Sequence, residues 1–138
     1  MSPATAFEAA DAPDSHLSSN QVVHYIGSID TFVWLLPYGP DSDNIFRLAF
    51  VKTYDAVRGK WSIFDIKTQT LGVDGALLDW PDLAVGANFL YVTANIFVDN
   101  QVGTAVIRIP FANIQSRQVV LEKFVTYGMP ILSRRAKL

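Results

Sequence analysis

The stretch DLAVGANFLYVTAN, residues 82–95, decides the fold class of this chain. It contains two short apolar runs rich in Leu, Val and aromatic residues, separated by the segment Gly86-Ala87-Asn88. Apolar runs of roughly four to eight residues that are bounded by Gly and Asn are typical of β-strands. The stretch therefore predicts two consecutive strands joined by a short link.

Strand patterns of the same kind cover most of the chain outside its two ends. Clusters of Gly, Pro, Asp and Asn separate these patterns, and no stretch keeps a helical period for the length of an average helix. The chain is therefore predicted to be all-β, with eight strands at residues 22–27, 31–38, 44–53, 60–68, 82–86, 88–98, 103–111 and 118–126.

The second half of the chain resembles the first half. The sequence IFRLAF at residues 45–50 aligns with VIRIPF at residues 106–111. Single matches are Gly27 with Gly86, Phe32 with Phe89 and Arg47 with Arg108, at spacings of 59, 57 and 61 residues. A period of roughly sixty residues indicates an internal duplication of a four-stranded antiparallel unit, which is the pattern of β-propeller blades.

The longer stretch DWPDLAVGANFLYVTAN, residues 79–95, resembles the start of a blade in bacterial β-propellers of the sialidase-like superfamily. The resemblance implies a partial propeller of two four-stranded blades and an exported bacterial parent protein. Blades of sialidases usually carry the motif Ser-x-Asp-x-Gly-x-Thr-Trp. The nearest segment, from Ser28 to Trp34, lacks the Gly and places the Trp one position early, which argues against sialidase activity.

These patterns divide the chain into a leader at residues 1–21, a first blade at 22–68, a connection at 69–81, a second blade at 82–126 and a tail at 127–138 that begins a further blade or ends the chain. Two blades do not close a ring, because propellers have at least about four. We therefore expect that the chain belongs with missing blades, or that several copies assemble, or that the eight strands close as a barrel or sandwich.

Composition excludes several classes of function. The chain has 138 residues, half of them hydrophobic, and a net charge of −2, so it can form a core but lacks the basic surface that binds nucleic acid. The absence of cysteine rules out disulfides and thiolate metal sites. We expect no signal peptide in the leader and no membrane span. The C-terminal Ala136-Lys137-Leu138 resembles a peroxisomal address, which we attribute to chance.

The candidate ligand-binding residues are Asp79, Trp80 and Asp82, because two carboxylates beside an aromatic ring suit a sugar ligand or acid–base chemistry on a glycoside. The alternative is a structural corner, since the residue before a proline is extended and Asp caps nearby backbone N–H groups. We prefer the structural interpretation and assign these three residues no specific role.

Other polar residues receive structural interpretations. We predict that Arg47 and Arg108 make ion pairs or backbone contacts between the blades. The turn containing Asp41, Asp43 and Asn44 offers oxygen ligands but lacks the calcium-loop spacing, so we predict a plain polar turn. His16 and His24 are too scattered for a zinc site, and no metal or cofactor is expected.

The sequence thus favours a binding or interaction scaffold, a non-catalytic or incomplete piece of a sialidase-like propeller with a carbohydrate or protein ligand. The first alternative is part of a glycoside-processing enzyme whose catalytic residues are spread over missing blades. The second alternative is a small-ligand β-barrel. A homo-oligomer or the missing blades of a longer chain are the expected partners.

Overall fold

The computed structural model describes residues 17–18, 20–39, 44–118 and 121–128. In these ranges the chain forms eight strands, two short helices and a 3-10 turn at Gly27–Ile29. The helices are α1 (Thr53–Ala56) and α2 (Phe111–Ser116). The strands are β1 (Val22–Ile26), β2 (Thr31–Tyr38), β3 (Ile45–Lys52), β4 (Ser62–Lys67), β5 (Leu77–Val85), β6 (Phe89–Val98), β7 (Gln101–Pro110) and β8 (Glu122–Tyr127).

The strands form two four-stranded sheets in which chain neighbours pair antiparallel. The first sheet has the order β1-β2-β3-β4 and the second sheet has the order β5-β6-β7-β8. The prediction of an all-β chain with two four-stranded antiparallel units is therefore confirmed. The alternative of a closed eight-stranded barrel is wrong, because no ladder of hydrogen bonds joins one described sheet to the other.

Both sheets follow the same plan. A short link joins the first two strands, a hairpin follows, and a short helix lies between the third and fourth strands: α1 in the first sheet and α2 in the second. The β6–β7 hairpin turns through only two residues, with Asp99 in the left-handed region at φ 51°. Asp tolerates this conformation because its short side chain can bond locally.

Strand β5 begins at Leu77, five residues before the predicted start at Asp82. The sequence hid this start because the strand contains an irregularity at its Trp-Pro pair. Asp79 lies opposite Asn95 and Asp82 lies opposite Thr93, so Trp80 and Pro81 together face a single residue of β6. This β-bulge places Trp80 at φ 52° and accommodates a proline, which has no N–H to give to the ladder.

The two sheets pack face to face, and the faces in contact form the main core. Because alternate residues of a strand point to opposite sides, each sheet has an inner face toward the other sheet and an outer face away from it. The buried apolar residues of the two inner faces merge in one cluster. The first sheet supplies Val33, Leu35, Phe46, Leu48, Phe50 and Ile66, and the second supplies Leu83, Leu90, Val92, Ile96, Ile107 and Ile109.

The outer face of the first sheet carries a second apolar cluster, formed by Leu36, Tyr38, Ile45 and Ala49. These residues are buried, and Leu17 packs against them from the segment before β1. The Ser18 N–H donates to the Pro37 carbonyl at 2.8 Å, which fixes this segment along the end of β2.

The directions of the backbone hydrogen bonds show how the sheets are stacked. In the first sheet, the inner-face residue Pro37 directs its carbonyl toward the β1 side, where Ser18 donates to it. In the second sheet, it is the outer-face residue Phe89 whose carbonyl points to the first strand, accepting from the Gly86 N–H at 2.9 Å. The backbone N–H and carbonyl groups of inner-face residues in β6 must therefore point to β7. This follows because the side chain and the backbone groups both change sides from one residue to the next.

In L-residues, the side to which the backbone groups point fixes the face on which the side chain lies. The inner face of the first sheet and the outer face of the second sheet are therefore the same face of the same meander. The contact between the sheets therefore joins this face of the first sheet to the opposite face of the second sheet, which is front-to-back stacking. We call this common face the front, and the opposite face the back.

The stacking defines which residues of the two sheets correspond, and it corrects the predicted alignment. Across the sheets, the front row Leu35–Leu48–Phe64 corresponds to Thr93–Val106–Phe124, and Val33–Phe50–Ser62 corresponds to Tyr91–Arg108–Glu122. Central-strand partners are thus 58 residues apart, as Leu35 and Thr93 are. The predicted match of Arg47 with Arg108 is wrong, since Arg47 lies on a back face and Arg108 on a front face.

Candidate functional site

The predicted residues Asp79 and Asp82 both lie on the outer face of the second sheet, on either side of the bulge. Each carboxylate accepts a hydrogen bond from the next backbone N–H: Asp79 Oδ1 from Trp80 at 2.8 Å, and Asp82 Oδ1 from Leu83 at 2.9 Å. The first bond satisfies the N–H of the bulged residue Trp80, and the second satisfies the N–H of Leu83 after the bulge. Both carboxylates therefore bond the backbone of the irregular strand itself.

Asp79 also lines a cleft between the start of β5 and the end of the β2–β3 hairpin, together with Ser18, Tyr38, Asn44 and Pro81. The cleft has a volume of about 130 Å³. Pockets that enclose small molecules usually measure roughly 300 Å³ or more, so this cleft is too small to enclose a sugar ring with its hydroxyls. It suits a few water molecules, each of which occupies about 30 Å³.

Asn44 joins the two sheets at this cleft. Its side-chain oxygen accepts from the Leu78 N–H at 2.5 Å, and its amide donates to the Leu78 carbonyl at 3.0 Å. The side chain thus imitates a neighbouring strand and pairs with β5. The predicted calcium alternative included Asn44 with Asp41 and Asp43; the two aspartates lie outside the described residues, and both polar ends of Asn44 are engaged by backbone.

The outer face of the second sheet presents a second candidate site, which we call the outer patch. It consists of Tyr91, Val106, Arg108, Glu122 and Phe124, on three neighbouring strands. These side chains, with Lys123, line a shallow open groove of about 220 Å³. Phe124 is 65% exposed, which is unusual for so large an apolar side chain on a sheet face.

An ion pair stands beside this aromatic surface. Arg108 donates to the Glu122 carboxylate through both Nε, at 2.9 Å, and Nη2, and its guanidinium lies 4.2 Å from the centre of the Phe89 ring. The pair is exposed, and hydrogen bonding to Glu122 raises the pKa of Arg108 further above its ordinary value. Arg108 therefore keeps its charge at every pH at which the fold exists.

The ion pairs of Arg47 and Arg108, predicted between the two blades, each form within a single sheet. Arg47 pairs with Asp65 on the adjacent strand of its own sheet, with two bonds of 2.7 and 2.9 Å, rather than with the other sheet. Its side chain is only 5% exposed, under the back-face cluster that includes Tyr38. Burial raises the pKa of Tyr38, so its hydroxyl stays neutral beside this pair.

Two polar side chains of the second sheet's outer face are not accessible to a ligand. Asn95 and Thr104 face each other across β6 and β7 and are buried. They stabilise the face from within, next to Asp79 in the same row. The accessible charged groups of this face include those of the outer patch and of the bulge.

Asp30, from the segment compared with the sialidase motif, has a structural role. It lies in the β1–β2 link with φ 47°, and its Oδ1 accepts from the hydroxyls of Thr53 at 2.6 Å and Tyr25 at 2.7 Å. These two hydrogen bonds, Thr53 first, lower the pKa of the Asp30 carboxyl. Asp30 thereby joins the link of the first sheet to the start of α1.

Sequence analysis missed the outer patch, although Glu122 and Phe124 lie in a predicted strand. A signal was present: Val106, Arg108, Glu122 and Phe124 recur at every second position, which puts exposed polar and apolar side chains on one face. What the sequence lacked was the pairing of β7 with β8, because α2 and its flanking loop separate them.

Comparisons with known proteins give no relative. No protein-family model, no curated protein and no solved structure matches this chain. Within the described ranges, no three His, Asp or Glu residues are grouped so that they could hold a metal ion. In the same ranges, neither helix has the length and apolar character needed to cross a membrane.

Proposed function

We propose that this chain is a non-catalytic binding scaffold of the β-propeller type, in which the two sheets are successive blades. The front-to-back stacking supports this proposal, because blades related by rotation about one axis all present the same face to the next blade. The resemblance of residues 79–95 to sialidase-like blades supports the same architecture.

We further propose that the scaffold binds carbohydrate through the outer patch. The observation that carries this proposal is the exposed Phe124 beside the exposed Arg108–Glu122 pair. The apolar C–H side of a sugar ring stacks on aromatic rings such as those of Phe124 and Tyr91, while a guanidinium and a carboxylate bond its hydroxyls. The open groove leaves both ends free, which suits a chain of sugars rather than an enclosed small molecule.

The chemistry of the acidic residues supports binding without catalysis. Glycosidases need two carboxylates on either side of the bond that breaks, one of them able to give a proton. The outer patch contains only Glu122 as an acid, and its charge is committed to Arg108. Asp79 and Asp82 are occupied by backbone N–H groups of the bulge.

A titration with soluble oligosaccharides tests the proposal. Cellohexaose, maltohexaose, chitohexaose and sialyllactose are each titrated into the protein, and binding is followed by calorimetry or by shifts of backbone amide resonances. We expect at least one sugar to bind with a Kd on the order of 1 mM or tighter, with shifts in β7 and β8. Sugars incubated with the protein should show no new reducing ends.

Two variants locate the binding site. Phe124→Ala should weaken binding by about tenfold or more, because a stacked ring contributes roughly 1–2 kcal/mol. Tyr54→Ala is the matched control, since Tyr54 is an exposed aromatic residue of α1, in the first sheet's β3–β4 connection, and should leave binding unchanged. Binding that survives Phe124→Ala, or an absence of binding by all four sugars, would reject the carbohydrate proposal.

A further inference from the structure

The outer patch lies on the kind of surface that this chain already uses to bind a β-sheet. The front face of the first sheet is covered by the second sheet, through Val33, Leu48 and Phe64. The corresponding front positions of the second sheet are Tyr91, Val106 and Phe124, which remain exposed or half-buried. The strand spacing and twist that fit one sheet on the first front are therefore repeated on the second.

The back face of the first sheet, which another copy would offer to the front of the second sheet in a continued stack, is already covered. Front-to-back growth needs the back of a first sheet from another copy, where Leu36 and Ala49 are fully buried and Leu17 packs over the cluster. The front row of the second sheet has also become polar, with Thr93 and Arg108 where the first sheet has Leu35 and Phe50. A ring or open fibre of copies joined front to back is thus disfavoured on both sides.

We propose that a second copy of this chain docks on the outer patch, front to front about a two-fold axis, and forms a weak closed dimer. In a two-fold (isologous) contact, if a first residue of one copy meets a second residue of the other copy, the reverse contact also forms. The surface must therefore be complementary to itself. The outer patch meets this condition because it carries one positive and one negative side chain around an apolar centre.

The charges and the apolar side chains have separate roles in this dimer. Arg108 of one copy reaches Glu122 of the other across the axis, which sets the orientation of the two sheets. Phe124 and Tyr91 supply the buried aromatic contacts that give most of the binding energy in protein interfaces. The contact removes from water the Phe124 ring that is exposed in the single chain.

The size of the face limits the strength of the dimer. Four strands about 4.8 Å apart and about six residues long present roughly 400 Å² on each copy. A total near 800 Å² lies below the usual size of stable interfaces, about 1,600 Å². We therefore expect a Kd on the order of 10 to 100 μM rather than a permanent dimer.

This inference goes beyond the proposed function and uses the same patch, so a second copy and a sugar should exclude each other. The two proposals are measured separately. Self-association is measured without sugar, and sugar binding is measured at protein concentrations well below the dimer Kd, where the chain is a single copy.

Sedimentation equilibrium of the full chain over a concentration series from about 1 μM to 1 mM gives the solution mass. We expect the mass to rise from one copy to two and to stop there. A single copy at every concentration, or a mass that continues to three or four copies, would overturn the proposal.

Variants of the patch test the contact itself. Phe124→Asp should keep the chain as one copy throughout the series, whereas Val57→Asp should dimerise like the parent, because Val57 is an exposed apolar residue of the α1–β4 connection. Circular dichroism at the same concentrations shows whether Phe124→Asp is folded. If that variant is unfolded, Phe124→Ser replaces it and carries the same expectation.

A charge exchange tests the two-fold geometry. Glu122→Arg places arginines opposite each other and should weaken the dimer by about tenfold or more. The double variant R108E/E122R restores a self-complementary patch and should return the Kd to within about threefold of the parent. Equal effects of the single and double variants would contradict the isologous contact.

Discussion

Corresponding positions on the front faces of the two sheets lie in different environments, one covered by a sheet and the other open to solvent. In the first sheet the front row is Leu35, Leu48 and Phe64, and the second sheet covers it. In the second sheet the same row is Thr93, Val106 and Phe124, and solvent reaches it. Strand pairing is the same in both rows, so the difference in residue type follows the cover: the row under the other sheet is apolar, and the row that solvent reaches includes Thr93.

The largest expected effect comes from the centre of the buried row. Leu48→Ala should lower the free energy of unfolding by about 3 to 4 kcal/mol, because a fully buried Leu leaves a cavity that a two-sheet core cannot close. Val106→Ala at the corresponding half-buried position should cost less than about 1 kcal/mol. Urea denaturation measures both losses of stability. Equal losses would contradict the difference in burial between the two front faces.

The two arginine pairs come next in size. Asp65→Ala leaves Arg47 buried without its carboxylate and should cost about 3 kcal/mol, near the lower end for buried pairs because Asp65 is 23% exposed. Glu122→Ala removes the partner of the exposed Arg108, and we expect no resolvable shift of the urea midpoint. A midpoint shift of similar size in both variants would show that the second pair is also sheltered from water.

Asn44→Ala tests how the sheets are held in register. Two hydrogen bonds to the Leu78 backbone disappear, and the half-buried N–H and carbonyl lose their partners. We expect the free energy of unfolding to fall by about 1 to 2 kcal/mol. Amide exchange relative to the parent should accelerate more at Leu78 than at Val92, which lies inside the second sheet. Unchanged exchange at Leu78 would mean that water replaces Asn44 without cost.

The smallest effect depends on pH and distinguishes the β1–β2 link from its counterpart in the second sheet, which has no acid. The pKa of Asp30 is lower in the folded chain than its ordinary value of 3.8. Its stabilising contribution is therefore complete above about pH 4 and is lost as the pH falls through the lower folded pKa.

The variant Asp30→Asn keeps a residue that tolerates the left-handed conformation. It should remove the part of the acid dependence that the Asp30 carboxyl contributes. Urea midpoints at pH 7, 4 and 3 give the comparison. An acid dependence that is the same in Asp30→Asn and in the parent would assign the titration to another carboxyl.

Much of the fold was predictable from local patterns, because strands with alternating or continuous apolar residues lie between clear turn residues. Bounds of β2 at residues 31–38 and β6 near 88–98 follow directly from this pattern. The start of β5 was missed because Trp80-Pro81 has the appearance of a corner, and a bulge depends on the pairing with β6. The two-unit plan was clear, but its alignment was not.

The alignment failed for a physical reason that Arg47 and Arg108 illustrate. The two segments look alike because β3 and β7, the third strand of each sheet, both combine aliphatic residues with one arginine. Which face a residue takes depends on the hydrogen-bond direction of its strand, and this is fixed by pairing rather than by residue type. The candidate site was missed for the same reason, since the outer patch is formed by strands that helix α2 separates.

Lys123 has a further consequence for the chain. It lies on the inner side of β8, opposite Ile107, on the last strand of the described second sheet, and its Nζ donates to the Thr70 carbonyl at 3.2 Å. A strand arriving from another molecule to extend this edge would have to cover a lysine that points toward the core side. The lysine thus disfavours the addition of another strand beside β8.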